Sequence, residues 1–273
     1  MIRLKTFSRQ PVRLFFMSKL LVALVIISCA LVSTAQAGFV GSIIRIEAWA
    51  DHDNNTGTPD QTGFQEWTFP TSDADEPFVQ YNDGPVSITS GSGVVLATNV
   101  SFSVTYDGDP QVILIFAVTA GNAVAGTNFN IQSAVVNFSP LTNPQATATA
   151  AVTVTDNFPS PTGDGATLTG LETGAKAYLA EYNGGTDFAA LVTTPIVAAS
   201  NSSNTGSETF PPVGTVPIVG AVSSIESEFR FHLTRRDSAS GTSAFTVVPE
   251  PGTWALLGTG LFALVALARR RRS

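Results

Sequence analysis

The chain has 273 residues, 44% hydrophobic and 13% charged, with a formal net charge of -7 and one cysteine, Cys29. Acidic charge repels nucleic acid and anionic lipid, which argues against nucleic acid as a partner. A single thiol excludes an internal disulfide, so a domain built from this chain is held by its apolar core, for which the length suffices.

In chain order the first element is an export signal. Lys19 supplies the positive end, Leu20 to Val32 the apolar run, and Ala35-Gln36-Ala37 a small-residue site for signal peptidase. Arg3, Lys5, Arg9 and Arg13 stand before Met17, so they extend the positive region or Met17 is the true start. Ile26-Ile27-Ser28 before Cys29 also offers a lipoprotein signal, which would add a second anchor and leave Ala-Gln-Ala unused. Cleavage after Ala37 removes the cysteine and divides the chain into a signal (1–37), an exported domain (38–248) and a tail (249–273). Five of the 14 Lys and Arg precede residue 38 and four lie in the tail; the five that remain face 20 acids, a formal -15. That charge keeps a domain soluble outside the cell, and it also fits cation-dependent association with a polysaccharide matrix.

The exported domain shows period-two alternation and no stripes of helical period. Val100-Ser-Phe-Ser-Val-Thr-Tyr106 places apolar residues on one face and hydroxyls on the other, a half-buried strand. Asp107-Gly-Asp-Pro110 is a tight turn into Gln111 to Thr119, apolar on both faces and so a central strand. Further strands are predicted at Ile43 to Trp49, Phe129 to Phe138, Ala146 to Thr155, Ala175 to Tyr182, Phe188 to Val192, Phe229 to Thr234 and Ala244 to Val248. Gly, Pro and Asn clusters punctuate them, among them Asn143-Pro144, Ser160 to Gly163 and Asn183-Gly-Gly185. Ser200 to Ser207, before Pro211-Pro212, reads as a long surface loop, and Arg235 to Gly241 as a hairpin connection into the last strand. Many short strands without intervening helices predict an all-β fold, an antiparallel β-sandwich or jelly roll.

Little in this domain points to chemistry. Asp51-His-Asp-Asn-Asn-Thr-Gly57 offers alternate oxygen ligands, but Thr56 stands where a calcium loop turns on glycine and Thr62 where a glutamate would close it. No metal or other cofactor is therefore expected. The two histidines are His52 and His232; the second alternates with Phe229, Phe231 and Leu233 and faces outward beside Glu228 and Arg230. No Gly-x-Ser-x-Gly elbow is present. Paired carboxylates could come from Glu47, Glu66, Glu172, Glu181, Glu226 and Glu228, whose separations sequence does not fix. Tyr178 and Tyr182, beside Lys176, resemble a sugar-stacking strip.

The tail begins with Pro249-Glu250-Pro251, which disfavours helix and lacks two amide hydrogens. Trp254 to Ala268 follows without a charge; as a helix it is about 22 Å long, short for a core of about 30 Å unless the bilayer thins or arginines snorkel. Arg269 to Arg272 hold the C-terminus on the cytoplasmic side and leave the domain outside. Taken alone, this also fits a plain single-pass anchor with Pro-Glu-Pro as a linker. The order of motif, short apolar helix and arginine cluster resembles the PEP-CTERM sorting signal of Gram-negative and related bacteria. That resemblance covers about the last 25 residues and is specific because three features of different chemistry coincide. It implies an exosortase as partner, a membrane-embedded cysteine protease or transpeptidase that releases or transfers the protein to the cell surface, often in bacteria that make extracellular polysaccharide. It also assigns Pro249, Glu250 and Pro251 to recognition, Trp254 to Ala268 to the membrane helix, and Arg269, Arg270, Arg271 and Arg272 to the stop.

The resulting expectation is a surface or secreted protein, not an enzyme, with a structural or adhesive part in a polysaccharide matrix. Two alternatives stand beside it. A carbohydrate-binding module needs Trp49, Trp67, Tyr178 and Tyr182 in an exposed stripe; a secreted hydrolase needs two acids converging in a cleft.

Overall fold

The computed structural model describes residues 38–51, 60–68, 78–107, 110–157 and 164–250. The signal with Ala35 and Ala37, most of the Asp51 cluster, and the tail from Pro251 through Arg272 lie outside the described residues.

The described chain is all strand and turn. Its elements are β1 (Gly38–Ala50), β2 (Gln61–Thr68), β3 (Phe78–Thr89), β4 (Val95–Asp107), β5 (Gln111–Ala120), β6 (Thr127–Thr142), β7 (Gln145–Thr155) and β8 (Ala166–Gly170). They continue with β9 (Lys176–Tyr182), β10 (Thr186–Thr193), β11 (Ile196–Ala198), β12 (Ser203–Phe210), β13 (Val216–Pro217), β14 (Ala221–Leu233) and β15 (Ser238–Val248). Every pairing is antiparallel. Sheet A runs β10-β9-β14-β6-β1-β2, with β8 and β11 extending it, and sheet B runs β12-β7-β15-β5-β4-β3, with β13 beside β7. The expected sandwich is thus two facing antiparallel sheets.

Aromatic rings from the two sheets meet in the core. Phe116 of β5 packs on Phe229 and Phe231 of β14 at centroid distances of 4.9 and 5.7 Å, and Phe188 of β10 stacks on Phe245 of β15 at 5.2 Å. Small residues make the room. Ala146, Ala148 and Ala150 line the inner face of β7, and a Cβ on Gly241 would lie 2.3 Å from the Phe116 ring. Tyr106 ties the layers by hydrogen bonds: its hydroxyl donates to the Ile43 carbonyl of β1 and accepts from the Ala134 N–H of β6 at 2.7 Å. Burial pushes that phenol well above its usual range. The open sides are also tied, by Lys176 Nζ to Glu208 at 2.7 Å and by the Trp67 indole N–H donating to Asp83 at 2.6 Å.

Three expectations are corrected. Ser203 to Ser207 belongs to edge strand β12 rather than a loop, joined to β7 by hydroxyl pairs, Thr153 with Thr205 and Thr155 with Ser203, both 2.8 Å. An edge strand with few apolar side chains has no alternation to read. Residues 234–237 do not close a hairpin: β14 lies in sheet A and β15 in sheet B, so this segment crosses between layers. Tyr178 points inward, fully buried, with its hydroxyl 2.9 Å from Ser227 Oγ, because burying the ring against Phe229 at 4.9 Å outweighs exposing it.

The last two strands occupy interior positions, β14 between β9 and β6 and β15 between β7 and β5. The register places both ends of the domain at one end of the sandwich. Val248 pairs with Gln145 at the start of β7, and Gly38 pairs with Asn137 near the end of β6. Since β6 and β7 are joined by Asn143-Pro144, the junctions with signal and tail leave together.

Candidate functional site

Two regions carry the functional reading. The first is the exit of the tail. Val247 is buried and its N–H donates to the Pro110 carbonyl at 2.8 Å, so the strand ladder runs to the threshold of the tail. Pro249 and Glu250 follow at once and are exposed. No flexible spacer separates the last core strand from the motif.

The second is the outer face of sheet A, built by β-alternation. With Phe229, Phe231 and Leu233 buried, Glu226, Glu228, Arg230 and His232 of β14 face outward. Pairing then aligns rows across the sheet. Glu228 lies opposite Gln132, Gln132 opposite Arg45, and Arg45 opposite Glu66. In the next row Arg230 faces Asn130, Asn130 faces Glu47, and Glu47 faces Phe64; in the third, His232, Asn128 and Trp49 align. Glu181 sits opposite Glu226, and Glu172 reaches Arg230 at 3.2 Å. All six glutamates named from sequence are therefore on one face. The amides Asn128, Asn130 and Gln132 were not singled out there, although their alternation with Phe129 and Ile131 marks one polar face.

Charge on this face is partly compensated. Arg230 Nε lies 3.8 Å from Glu228, Arg45 lies 3.7 Å from Glu47, and its guanidinium covers the Phe64 ring at 4.7 Å. A depression of about 230 Å³ opens among Ser42, Arg45, Glu66, Gln132, Ser133 and Glu226. Gln132 Nε2 donates to Glu226 at 3.4 Å, and Ser42 Oγ donates to Glu66. Burial, then Glu172, Glu181 and Glu226, push Glu228 up to about 7 against the pull of Arg230. Burial likewise raises Glu226 and Glu181, the latter helped by Glu226, Asp187 and Glu172. His232 is held by the Ala125 carbonyl, 2.6 Å from a ring nitrogen. Among the described residues no group of three or more His, Cys, Asp and Glu is placed to hold a metal.

The proposed aromatic stripe is not assembled. Tyr178 is in the core, Tyr182 and Trp67 pack against it, and Trp67 lies 4.7 Å from Phe102, leaving Trp49 and the half-exposed Phe64 at one side of the face. What the surface presents is an array of amides, carboxylates and guanidinium groups at strand spacing, able to donate to and accept from a polyhydroxylated ligand.

The antiparallel sandwich ends on a proline-flanked acid before an apolar run and four arginines, the order of a C-terminal sorting tail. The family model described as PEP-CTERM protein-sorting motif matches residues 247–272, so the tail is a PEP-CTERM motif, and the match begins inside β15. This motif implies an exosortase as processing partner, with export and membrane-associated sorting before the protein reaches the surface or is secreted. No curated protein matches the chain.

Proposed function

We propose that this is a non-catalytic surface or extracellular protein that adheres to polysaccharide through the outer face of sheet A after exosortase processing. In this reading signal peptidase cuts after Ala37, Pro249, Glu250 and Pro251 are read by the exosortase, Trp254 to Ala268 sits in the membrane, and Arg269 to Arg272 hold the stop. The supporting observation is the register of three rows across the sheet, Gln132 with Arg45 and Glu66, Asn130 with Glu47, and Asn128 with Trp49. Planar groups at fixed spacing suit sugar hydroxyls, and an acidic surface disfavours a polyanion.

Affinity electrophoresis of residues 38–250 in gels cast with hydroxyethyl cellulose, or with polymer from the producing cells, tests it. Retardation should occur and be lost in Asn130→Ala and Gln132→Ala; equal mobility with and without every polymer refutes adhesion. The raised pKa of Glu228 favours one second reading, a carboxylate hydrolase. Release of reducing ends, abolished by Glu228→Gln, would establish that reading in place of adhesion.

A further inference from the structure

The two most exposed large hydrophobic residues of the described chain are Val213, 89% exposed, and Val219, 91% exposed. Both lie in the connection from β12 to β14, and the stretch from Thr209 to Ser224, like that from Pro110 to Thr155, contains no charged residue. The connection is not a collapsed loop. Val216 and Pro217 pair with β7 as β13, Ile218 is buried and donates its N–H to the Pro144 carbonyl at 2.8 Å, and Asn143 and Gly220 exchange two hydrogen bonds at 2.7 and 2.8 Å. With its backbone pinned, the segment buries Ile218 and holds Val219 outward.

Its position links it to the tail. Gln145 pairs with Val248 on one side and with Pro217 on the other, so the tail leaves two strand spacings, about 10 Å, from this connection. Only residues 249–253 separate β15 from the apolar run, a reach of about 17 Å when extended. A bilayer holding that run lies within reach of this end of the sandwich. The connection itself is uncharged, while acids stand around it: Glu181 and exposed Asp187 flank the β9–β10 turn at the same end, and Asp107 pairs with Gln111 at the β4–β5 turn beside the tail exit.

We infer that, while the tail remains in the membrane, the uncharged β12–β14 connection rests on the lipid surface through Val213 and Val219 and orients the domain before processing. The partner is the bilayer interface itself, met through apolar contact, since the segment carries no lysine or arginine to engage anionic headgroups. This rests on the reading of the tail as a membrane segment. The junction at Pro249 and Glu250 then faces the membrane plane.

The test uses residues 38–273, which contain no cysteine, reconstituted in phosphatidylcholine vesicles. The variants are Val213→Cys and Val219→Cys, with Val124→Cys as a control; Val124 is 68% exposed in the β5–β6 connection at the opposite end. Each is labelled with an environment-sensitive fluorophore. Probes at 213 and 219 should shift to the blue, brighten severalfold and be quenched by lipids brominated near the headgroup, while the probe at 124 and all probes on residues 38–250 stay in water. Flotation with the vesicles but water-like emission at 213 and 219 overturns the inference and leaves the membrane tail standing; this is also the outcome if the segment docks on the exosortase instead. Failure to float overturns both.

Discussion

Glu228→Gln separates charge from shape on the outer face of sheet A. The side chain is 13% exposed, and its carboxyl is pushed from 4.5 to about 7 by burial and then by Glu172, Glu181 and Glu226, with Arg230 opposing. Folded Glu228 keeps its proton to higher pH than the unfolded chain does, so the native state binds more protons between those two values and stability falls as pH rises through them. The gap corresponds to about 3 kcal/mol, fully felt above the folded value and absent below the unfolded one. Glutamine keeps the volume, removes the charge and leaves Arg230 its Glu172 partner at 3.2 Å. Thermal denaturation of residues 38–250 should therefore show the variant more stable than wild type at about pH 8, by up to about 3 kcal/mol or roughly 6–12 °C in Tm, and equal to it at about pH 4. The raised carboxyls of Glu181 and Glu226 leave the variant a weaker slope of the same sign. A variant less stable than wild type at the alkaline end, or parallel to it throughout, refutes the reasoning.

Tyr106→Phe removes the hydroxyl by which β4 of sheet B reaches Ile43 and Ala134 of sheet A; two buried backbone groups lose their partner, and urea unfolding should show a loss of about 2 kcal/mol or more. Gly241→Ala drives a methyl into the Phe116 ring at 2.3 Å and should cost about 1–3 kcal/mol in the same assay, more than the substitution costs at exposed Gly91. Glu250→Gln changes an exposed side chain, so folding should be untouched. Sorting should stop, read as the intact mass of protein recovered from producing cells, and unchanged processing would mean that the acid is not recognised.

Strands were legible wherever one face is apolar and the other is not, as in Val100 to Tyr106, or where a run is apolar throughout, as in Gln111 to Thr119. They were illegible at the borders of the sheets. In β3, Gly84-Pro85 breaks the pattern, tolerated because the strand is an edge, and β12 has few apolar side chains to alternate. Alternation also gives a face without saying which: Tyr178 and Tyr182 share one, and pairing of β9 with β14 turns it inward. The tail was readable because its three chemistries are consecutive in sequence. The outer face of sheet A was not, because its six glutamates come from β1, β2, β9, β14 and the segment before β9, and become neighbours only through pairing across the sheet.

With β14 and β15 interior to their sheets, a chain emerging N-terminus first carries open ladders on β6, β9, β5 and β7 until its final stretch arrives. Completion of the fold and emergence of the apolar run at Trp254 therefore nearly coincide, separated by five residues of chain. A protease acting before Val248 would not liberate the domain but excise part of its middle, whereas a cut on the far side of Val248 lets a finished sandwich go.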